Sequence, residues 1–222
     1  EVMDAIRAGT PADALVVCDS TRAGYWTAVL TPFEHARSLV YPSYYTVGGG
    51  FASAIGAAIA RPEAPILAIV GDGGFQYTFA ELATAALYDV PLVVLLINDR
   101  QYGIVAEGMQ ARYGRRTGTD LSTNPDFQLI AKAYGLHSVA LESWDGVEAA
   151  LRDAWIDIGG FCAPGVAATA CAKRNPAISG STGFGNGGNA GTCSTTGLCM
   201  PNGVHPNYPL LNISNWSATG TG

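Results

Sequence analysis

The most informative segment of the chain is Ile66-Leu67-Ala68-Ile69-Val70-Gly71-Asp72-Gly73-Gly74-Phe75. Its unbroken aliphatic run, residues 66–70, is typical of a parallel strand that is covered on both faces. The next segment, Thr78-Phe79-Ala80-Glu81, has the form of a capping box, so we expect a helix to begin at Thr78, directly after the glycine turn. Strand, glycine turn and helix together predict one unit of an α/β fold.

The same alternation of short apolar runs and helix-like stretches continues from the first residue to about Asp157. The predicted strands are residues 14–18, 66–70, 91–98 and 138–141, and the predicted helices are residues 52–60, 78–87, 127–134 and 147–155. Strands that alternate with crossover helices build an open parallel sheet with helices on both faces. We therefore expect one α/β domain over residues 1–158.

The chain changes character after Asp157. No Asp or Glu follows, the only Lys and Arg are Lys173 and Arg174, and the segment is dense in Gly, Ser, Thr and Asn. We expect residues 159–222 to form an irregular or disordered tail, and the sequence leaves open whether it is an unusual extension, a disordered segment or the non-homologous product of a shifted reading frame. Four cysteines fall in this tail without the paired C-x-x-C spacing of zinc sites, which disfavours a structural metal there: Cys162, Cys171, Cys193 and Cys199.

Composition limits the classes of function. The chain has 222 residues, of which 48% are hydrophobic and 14% charged, so it can bury a substantial core. The net charge of -6 argues against nucleic acid as a partner, because phosphate backbones are bound mainly through Lys and Arg. No apolar run is long enough to span a bilayer, and no signal-peptide pattern is present. We expect a cytoplasmic protein that does not associate with membranes.

A second polar segment, Asn98-Asp99-Arg100-Gln101-Tyr102-Gly103, follows the predicted strand 91–98. Because ligands of open α/β sheets bind at the carboxyl ends of the strands, we expect this segment and the glycine turn to form one site. Gly73 and Gly74 let the backbone approach a phosphate, and the N–H groups of the helix start supply donors. Asp72 and Asp99 offer the hard oxygen ligands that Mg²⁺ prefers. These residues predict a site for Mg²⁺ and a diphosphate.

The two segments resemble the GDG and NN motif of thiamine-diphosphate-dependent enzymes, the superfamily of acetolactate synthase, benzoylformate decarboxylase and pyruvate decarboxylase. Asp72 matches the aspartate of that motif, and Asp99 stands where the second asparagine is usual. The third protein ligand of the family, a backbone carbonyl, falls on Gln101. The resemblance covers residues from about Glu1 to about Asp157 and implies the C-terminal, diphosphate-binding domain. Asp72 alone could be a simple turn residue, but its spacing to Asp99 favours the metal site.

A further segment, Tyr45-Thr46-Val47-Gly48-Gly49-Gly50, is similar to the family sequence that precedes the cofactor-supporting helix. The resemblance implies that Val47 wedges beneath the thiazolium ring and that Thr46 lies near the aminopyrimidine. Val47 as an ordinary core residue and Tyr102 as a residue that packs under the loop are the alternatives. The cofactor-binding set implied by the resemblance is Thr46, Val47, Gly48, Gly71, Gly73, Gly74, Phe75, Tyr102 and Gly103.

The resemblance also implies the chemistry and the partners. Thiamine diphosphate and Mg²⁺ are the expected cofactors, and a small 2-oxo acid is the expected substrate of a decarboxylase, synthase or lyase. In the family, the glutamate that activates the aminopyrimidine belongs to a pyrimidine-binding domain of a neighbouring subunit, so we expect such a domain or subunit as partner in a homo- or hetero-oligomer. No catalytic residue is assigned in this chain. A module that holds cofactor without catalysis and an inactive fragment are the alternative functions.

Overall fold

The computed structural model describes residues 2–42, 46–88, 90–157 and 210–214. The helices are α1 Val2–Gly9, α2 Arg22–Leu30, α3 Gly49–Ala60, α4 Asp72–Thr78, α5 Leu82–Leu87, α6 Gly103–Tyr113, α7 Phe127–Ala133 and α8 Val147–Asp157, and a short 3-10 turn, Phe79–Glu81, joins α4 to α5. The strands are β1 Leu15–Cys18, β2 Leu39–Val40, β3 Ile66–Gly71, β4 Val93–Asn98, β5 Ser138–Leu141 and β6 Leu210–Ser214.

The strands form one parallel sheet in the order β2-β1-β3-β4-β6-β5. Val17 of β1 pairs with Ala68 of β3, and Ile69 of β3 pairs with Leu95 of β4. The chain runs from β1 to β2 on one side and returns to β3 on the other, so the strand order reverses between β1 and β3. In open α/β sheets, the crevice at the carboxyl ends of such a strand pair is where ligands bind.

One face of the sheet is covered by α3, α4, α5 and α7. Ile66, Ala68 and Val70 of β3 point to this side, as the two-residue period of a strand requires. Phe75 of α4 lies at its centre, with its ring centroid 5.1 Å from that of Phe51 and 5.8 Å from that of Phe127. Both ring pairs are close to edge-to-face, a favourable arrangement for aromatic side chains.

The opposite face is covered by α1, α2 and α8, and it receives Leu67 and Ile69, the alternate residues of β3. Trp155 of α8 is buried here, and its indole N–H donates to the carbonyl oxygen of Gly9 over 3.0 Å. Helices therefore lie on both faces of a parallel sheet, which confirms the predicted fold class. All four predicted strands are present, with their ends within two residues of the expected positions.

The predicted helix start at Thr78 is wrong. Helix α4 begins at Asp72, immediately after β3, and Thr78 is its last residue. The Thr78 hydroxyl donates to the carbonyl oxygen of Gly48 over 3.0 Å, and the Glu81 carboxylate accepts from the hydroxyl of Thr84 over 2.6 Å, so the two do not form a capping box. The glycine turn is thus itself the first turn of a helix, and its N–H groups lie at the carboxyl edge of the sheet.

Several elements were not predicted: α1, α2, α6, β2 and β6. Strand β6 belongs to the segment expected to be irregular, yet the backbone of these five residues pairs in parallel with β4 on one side and β5 on the other. The rest of the expected tail, including its four cysteines, lies outside the described residues. Within the described ranges, no helix is both long enough and apolar enough to cross a membrane.

Candidate cofactor and metal site

Asp72 and Asp99 meet at the carboxyl edge of the sheet. Gly71, the last residue of β3, pairs with Ile97 of β4, so the residues that follow the two strands emerge side by side. The Asp72 side chain begins α4 and is only 3% exposed. Burial, and then the negative charge of Asp72, raise the pKa of Asp99 to about 6. Both residues line the same cavity, so the two carboxyl groups belong to one site.

Asp72 is a buried carboxylate with several hydrogen-bond donors. Burial raises its pKa, and donors from the Asn124 side chain and from the backbone of Gly73 and Arg100 offset part of that rise. The side-chain nitrogen of Asn124 lies 2.6 Å from Asp72 Oδ2. Two neighbouring carboxylates in a poorly solvated place favour a cation between them, and oxygen donors of this kind suit Mg²⁺.

Gln101 lines the same cavity as Asp72 and Asp99. Tyr102 N donates to the carbonyl oxygen of Thr119 and Leu121 N to that of Arg100, both over 2.9 Å. Gln101 lies between these two bonds, opposite Asp120. Its own N–H and C=O therefore point away from the segment that contains Asp120. The Gln101 nitrogen is 3.4 Å from Asp99 Oδ1, so the Gln101 N–H lies on the Asp99 side.

Three glycines of the motif have neighbours that leave no room for a side chain. A β-carbon at Gly73 would overlap the Tyr102 ring, and one at Gly74 would overlap the Asp19 carboxylate. At Gly103, a β-carbon would lie 2.6 Å from Asp99 Oδ2. Glycine at these positions therefore lets the side chains of Tyr102, Asp19 and Asp99 pack directly against the backbone and keeps the walls of the site close together.

Asp19 is a site residue that the sequence reasoning missed. It follows β1, is 1% exposed, and both of its carboxylate oxygens lie 3.0 Å from the backbone nitrogen of Gly48. Gly48 has a φ of 96°, in the left-handed region, and a β-carbon there would lie 2.8 Å from Tyr77 Cβ. Asp19 thus fixes the turn that carries Thr46 and Val47. Its one signal in the sequence is an acidic residue directly after a predicted strand.

A cavity of about 230 Å³ lies at this edge of the sheet. Val47 lines it and is 45% exposed, so the alternative of an ordinary core residue is wrong. Neither His35 nor His137 lines this cavity, and His205 lies outside the described residues. Nine of the predicted ligand residues line the cavity: Val47, Gly71, Asp72, Gly73, Gly74, Asp99, Gln101, Tyr102 and Gly103.

Three predicted residues are not brought to the cavity wall. Phe75 differs most from its predicted place at the cofactor. Its side chain is fully buried in the core between two other phenylalanines and faces away from the site. Gly48 lies behind the cavity against Asp19, where it shapes the turn. Thr46 is exposed beside that turn.

Tyr102 is held at the edge of the cavity rather than under the loop. Its ring lies against Gly73, and its hydroxyl is 3.4 Å from the hydroxyl of Tyr77. The hydrogen bond with Tyr77, and then burial, raise the pKa of Tyr102 to about 12. The phenol therefore stays protonated at neutral pH.

Comparison with known proteins identifies the family of this chain. The sequence model of the family described as thiamine pyrophosphate enzyme, C-terminal TPP binding domain, matches residues 19–163. The acetolactate synthase large subunit of Lactococcus lactis is 38% identical over 136 residues, which are 60% of this chain and 24% of that protein. A probable 2-ketoarginine decarboxylase of Pseudomonas aeruginosa is 40% identical over 153 residues, 68% of this chain and 27% of that protein.

Among solved structures, the thiamine diphosphate-dependent 4-hydroxybenzoylformate decarboxylase of Rhodococcus jostii RHA1 has a TM-score of 0.63 and 28% identity, over 68% of this chain and 29% of that one. The chain thus spans about a quarter of the length of the relatives it matches. The family match includes Asp19, Asp72 and Asp99 and takes in more than half of the sequence. The chain belongs to the thiamine pyrophosphate enzyme family, of which it carries the C-terminal TPP-binding domain.

Proposed function

We propose that this chain binds thiamine diphosphate and Mg²⁺ as the diphosphate-binding domain of a 2-oxo-acid decarboxylase or synthase. The observation that carries the proposal is the meeting of Asp72 and Asp99 in one cavity, at the carboxyl ends of β3 and β4, next to the point between β1 and β3 where the sheet order reverses. That position is the usual ligand site of an open α/β sheet. The site therefore combines the usual ligand-binding position of this fold with two carboxylates whose oxygens suit Mg²⁺.

The residues present fit a metal-bound diphosphate. Asp72 and Asp99 would supply two carboxylate oxygens, and the Gln101 carbonyl would supply a third ligand. Mg²⁺ usually keeps the remaining positions for phosphate oxygens and water. Gly73 and Gly103 line the cavity, and the absence of a side chain lets Tyr102 pack against the first turn of α4 and lets Asp99 lie against the start of α6. Asp99 in place of the usual asparagine adds one negative charge and keeps an oxygen ligand.

Val47, on the wall of the cavity, suits the organic part of the cofactor. Val47 is an exposed aliphatic residue on a turn whose geometry is fixed by Asp19, so it can support a ring without itself moving. We assign Val47 to the thiazolium end and the neighbouring Thr46 to the aminopyrimidine end. Tyr102, whose ring lies against Gly73, would donate to the diphosphate.

When bound, the cofactor supplies an electron sink for cleaving the bond next to a carbonyl group. The chain's own residues then bind and orient it. Two of the similar proteins are named for the decarboxylation of 2-oxo acids, 2-ketoarginine and 4-hydroxybenzoylformate, which supports a small 2-oxo acid as the substrate class. We assign the activating carboxylate to a pyrimidine-binding domain or subunit that assembles with this chain in an oligomer. A cytoplasmic location stays a prediction.

The test of this assignment is carbon dioxide release from pyruvate and from benzoylformate. The chain alone, with thiamine diphosphate and Mg²⁺, should stay near background, because general acid-base help commonly contributes about 10²- to 10⁴-fold in rate. Addition of a compatible pyrimidine-binding domain should raise turnover, and the same addition to Asp72→Ala should not. Robust turnover by the chain alone would contradict the proposal by placing an acid-base residue within it. Cofactor binding with no gain from any added domain would favour a binding module without catalysis.

A further inference from the structure

Asn124 connects the two strand ends of the site through its side-chain amide. This residue lies in the loop between α6 and α7. Its Nδ2 donates to Asp72 Oδ2 over 2.6 Å and to Asn98 Oδ1 over 2.9 Å. Its Oδ1 accepts from the Gln76 side-chain nitrogen over 2.8 Å. Both hydrogens of the amide and its oxygen are thus used in one network of four side chains.

The chemistry of these partners fixes the orientation of the amide. An ionised carboxylate only accepts hydrogen bonds, so the nitrogen of Asn124, and not its oxygen, must face Asp72. The oxygen then faces Gln76, which lies four residues after Asp72 on the same side of α4. The network therefore ties the first turn of α4 to the end of β4, the two elements that deliver the proposed metal ligands.

The bond to Asn124 engages one oxygen of Asp72 and stops the carboxylate from rotating. Backbone donors of Gly73 and Arg100 also reach this carboxylate, and Asp72 lines the cavity in which a cation would bind. An amide is suited to this task, because it donates a hydrogen bond without neutralising the charge of Asp72. A Lys or Arg in its place would compete with the cation.

We propose that Asn124 is a positioning residue that orients the Asp72 carboxylate for an octahedral cation, an inference that rests on the proposed function. Mg²⁺ requires near-ideal octahedral geometry, whereas Ca²⁺ tolerates flexible coordination by six to eight oxygens. Loss of the Asn124 amide therefore weakens the binding of Mg²⁺ more than that of Ca²⁺. A residue that only braced the loop would affect both ions alike.

The experiment is a calorimetric titration of the full chain with thiamine diphosphate, at a fixed concentration of either Mg²⁺ or Ca²⁺. Partners of metal ligands commonly contribute 10- to 100-fold to metal affinity. For Asn124→Ala, we expect the Mg²⁺-dependent affinity to fall by about this factor and the Ca²⁺-dependent affinity to fall by several-fold less. Thr123→Ala, an exposed neighbour in the same loop, is the matched control and should keep the parent values.

The ratio of the two affinities decides the outcome. An Asn124→Ala protein that keeps the parent ratio, whether both affinities are unchanged or both are equally reduced, would overturn the inference. Failure of the parent chain to bind with either ion would overturn the proposed function itself and is seen before any variant is compared. Should Asn124→Ala not fold, Gln76→Ala gives the same readout, because it removes the anchor of Asn124 and leaves Asp72 intact; an unchanged ratio there would also overturn the inference.

Discussion

Both carboxylate oxygens of Asp19 lie 3.0 Å from the backbone nitrogen of Gly48. This contact joins the end of β1 to the turn before α3, which carries Val47. Asp19 also leaves no space for a side chain at Gly74, in the first turn of α4. One buried carboxylate thus sets the separation between the turn assigned to the thiazolium ring and the turn assigned to the diphosphate.

The first prediction is that Asp19→Ala destabilises the fold and weakens cofactor binding. The change leaves the buried N–H groups of Ser20 and Gly48 without their acceptor, a loss of about 2–3 kcal/mol in the free energy of unfolding. Urea unfolding measures the stability, and calorimetry measures the affinity. Asp13→Ala, at an exposed position, is the control and should change neither. Equal stability of the two variants would contradict the role of Asp19.

The second prediction is that the same substitution, glycine to alanine, has opposite effects on stability at Gly74 and at Gly56. Gly74→Ala forces a methyl group against the Asp19 carboxylate and should destabilise the protein by about 1–3 kcal/mol. Gly56→Ala, on the exposed side of α3 with open space around it, should stabilise the protein by about 0.5–1 kcal/mol. Denaturant unfolding of both variants is the measurement. A change of the same sign in both would show that close packing at Gly74 is not what requires glycine there.

The third prediction concerns pH in the absence of divalent cations. Burial and the charge of Asp72 raise the pKa of Asp99 to about 6, above the value of about 3.9 for an unfolded Asp. The folded state therefore binds the Asp99 proton more tightly than the unfolded state does. The contribution of this proton to the free energy of unfolding is complete below pH about 4 and is lost as the pH rises through about 6. Asp99→Asn, which cannot ionise, should be more stable than the parent at pH 7.5, with a smaller difference at pH 4.5. Urea unfolding in a chelator tests this, and a constant difference over the range would contradict it.

The fourth prediction is that the Cys18 thiol does not react in the native protein. The side chain is 1% exposed, and burial raises its pKa to about 12, so very little reactive thiolate forms at pH 8. Iodoacetamide should label the peptide that contains Cys18 in denaturant and leave it unlabelled without denaturant. Mass spectrometry of that peptide follows the site separately from the other four cysteines. Rapid native labelling would mean that the end of β1 is open to solvent.

The sheet and the pair of aspartates could be predicted because their signals are local. Unbroken aliphatic runs marked the strands, and two polar segments at the ends of consecutive parallel strands had to emerge at one edge. The start of α4 could not be predicted in this way, since glycines ordinarily count against a helix. Thr78 and Glu81 matched a capping box by chance, while the Thr78 hydroxyl bonds to Gly48, 30 positions away.

The residues that support the site could not be predicted at all. Asp19 acts on a backbone group 29 positions away, and Asn124 acts on a carboxylate 52 positions away. Contacts between such distant positions leave no periodicity or motif in the sequence. Strand β6 was missed for a related reason, because it lies in a segment rich in small polar residues and forms its pairs with β4 and β5, far away in sequence.

The most direct test of the central claim is calorimetry with thiamine diphosphate, in Mg²⁺ and in chelator, on the parent chain, Asp72→Ala and Asp99→Asn. The parent should bind only when Mg²⁺ is present, and Asp72→Ala should lose this binding because an oxygen ligand is deleted. Asp99→Asn, which exchanges a carboxylate for an amide oxygen, should stay within about tenfold of the parent, or roughly 1.4 kcal/mol. Equal binding by Asp72→Ala and the parent would contradict the assignment of this site to a metal-bound diphosphate.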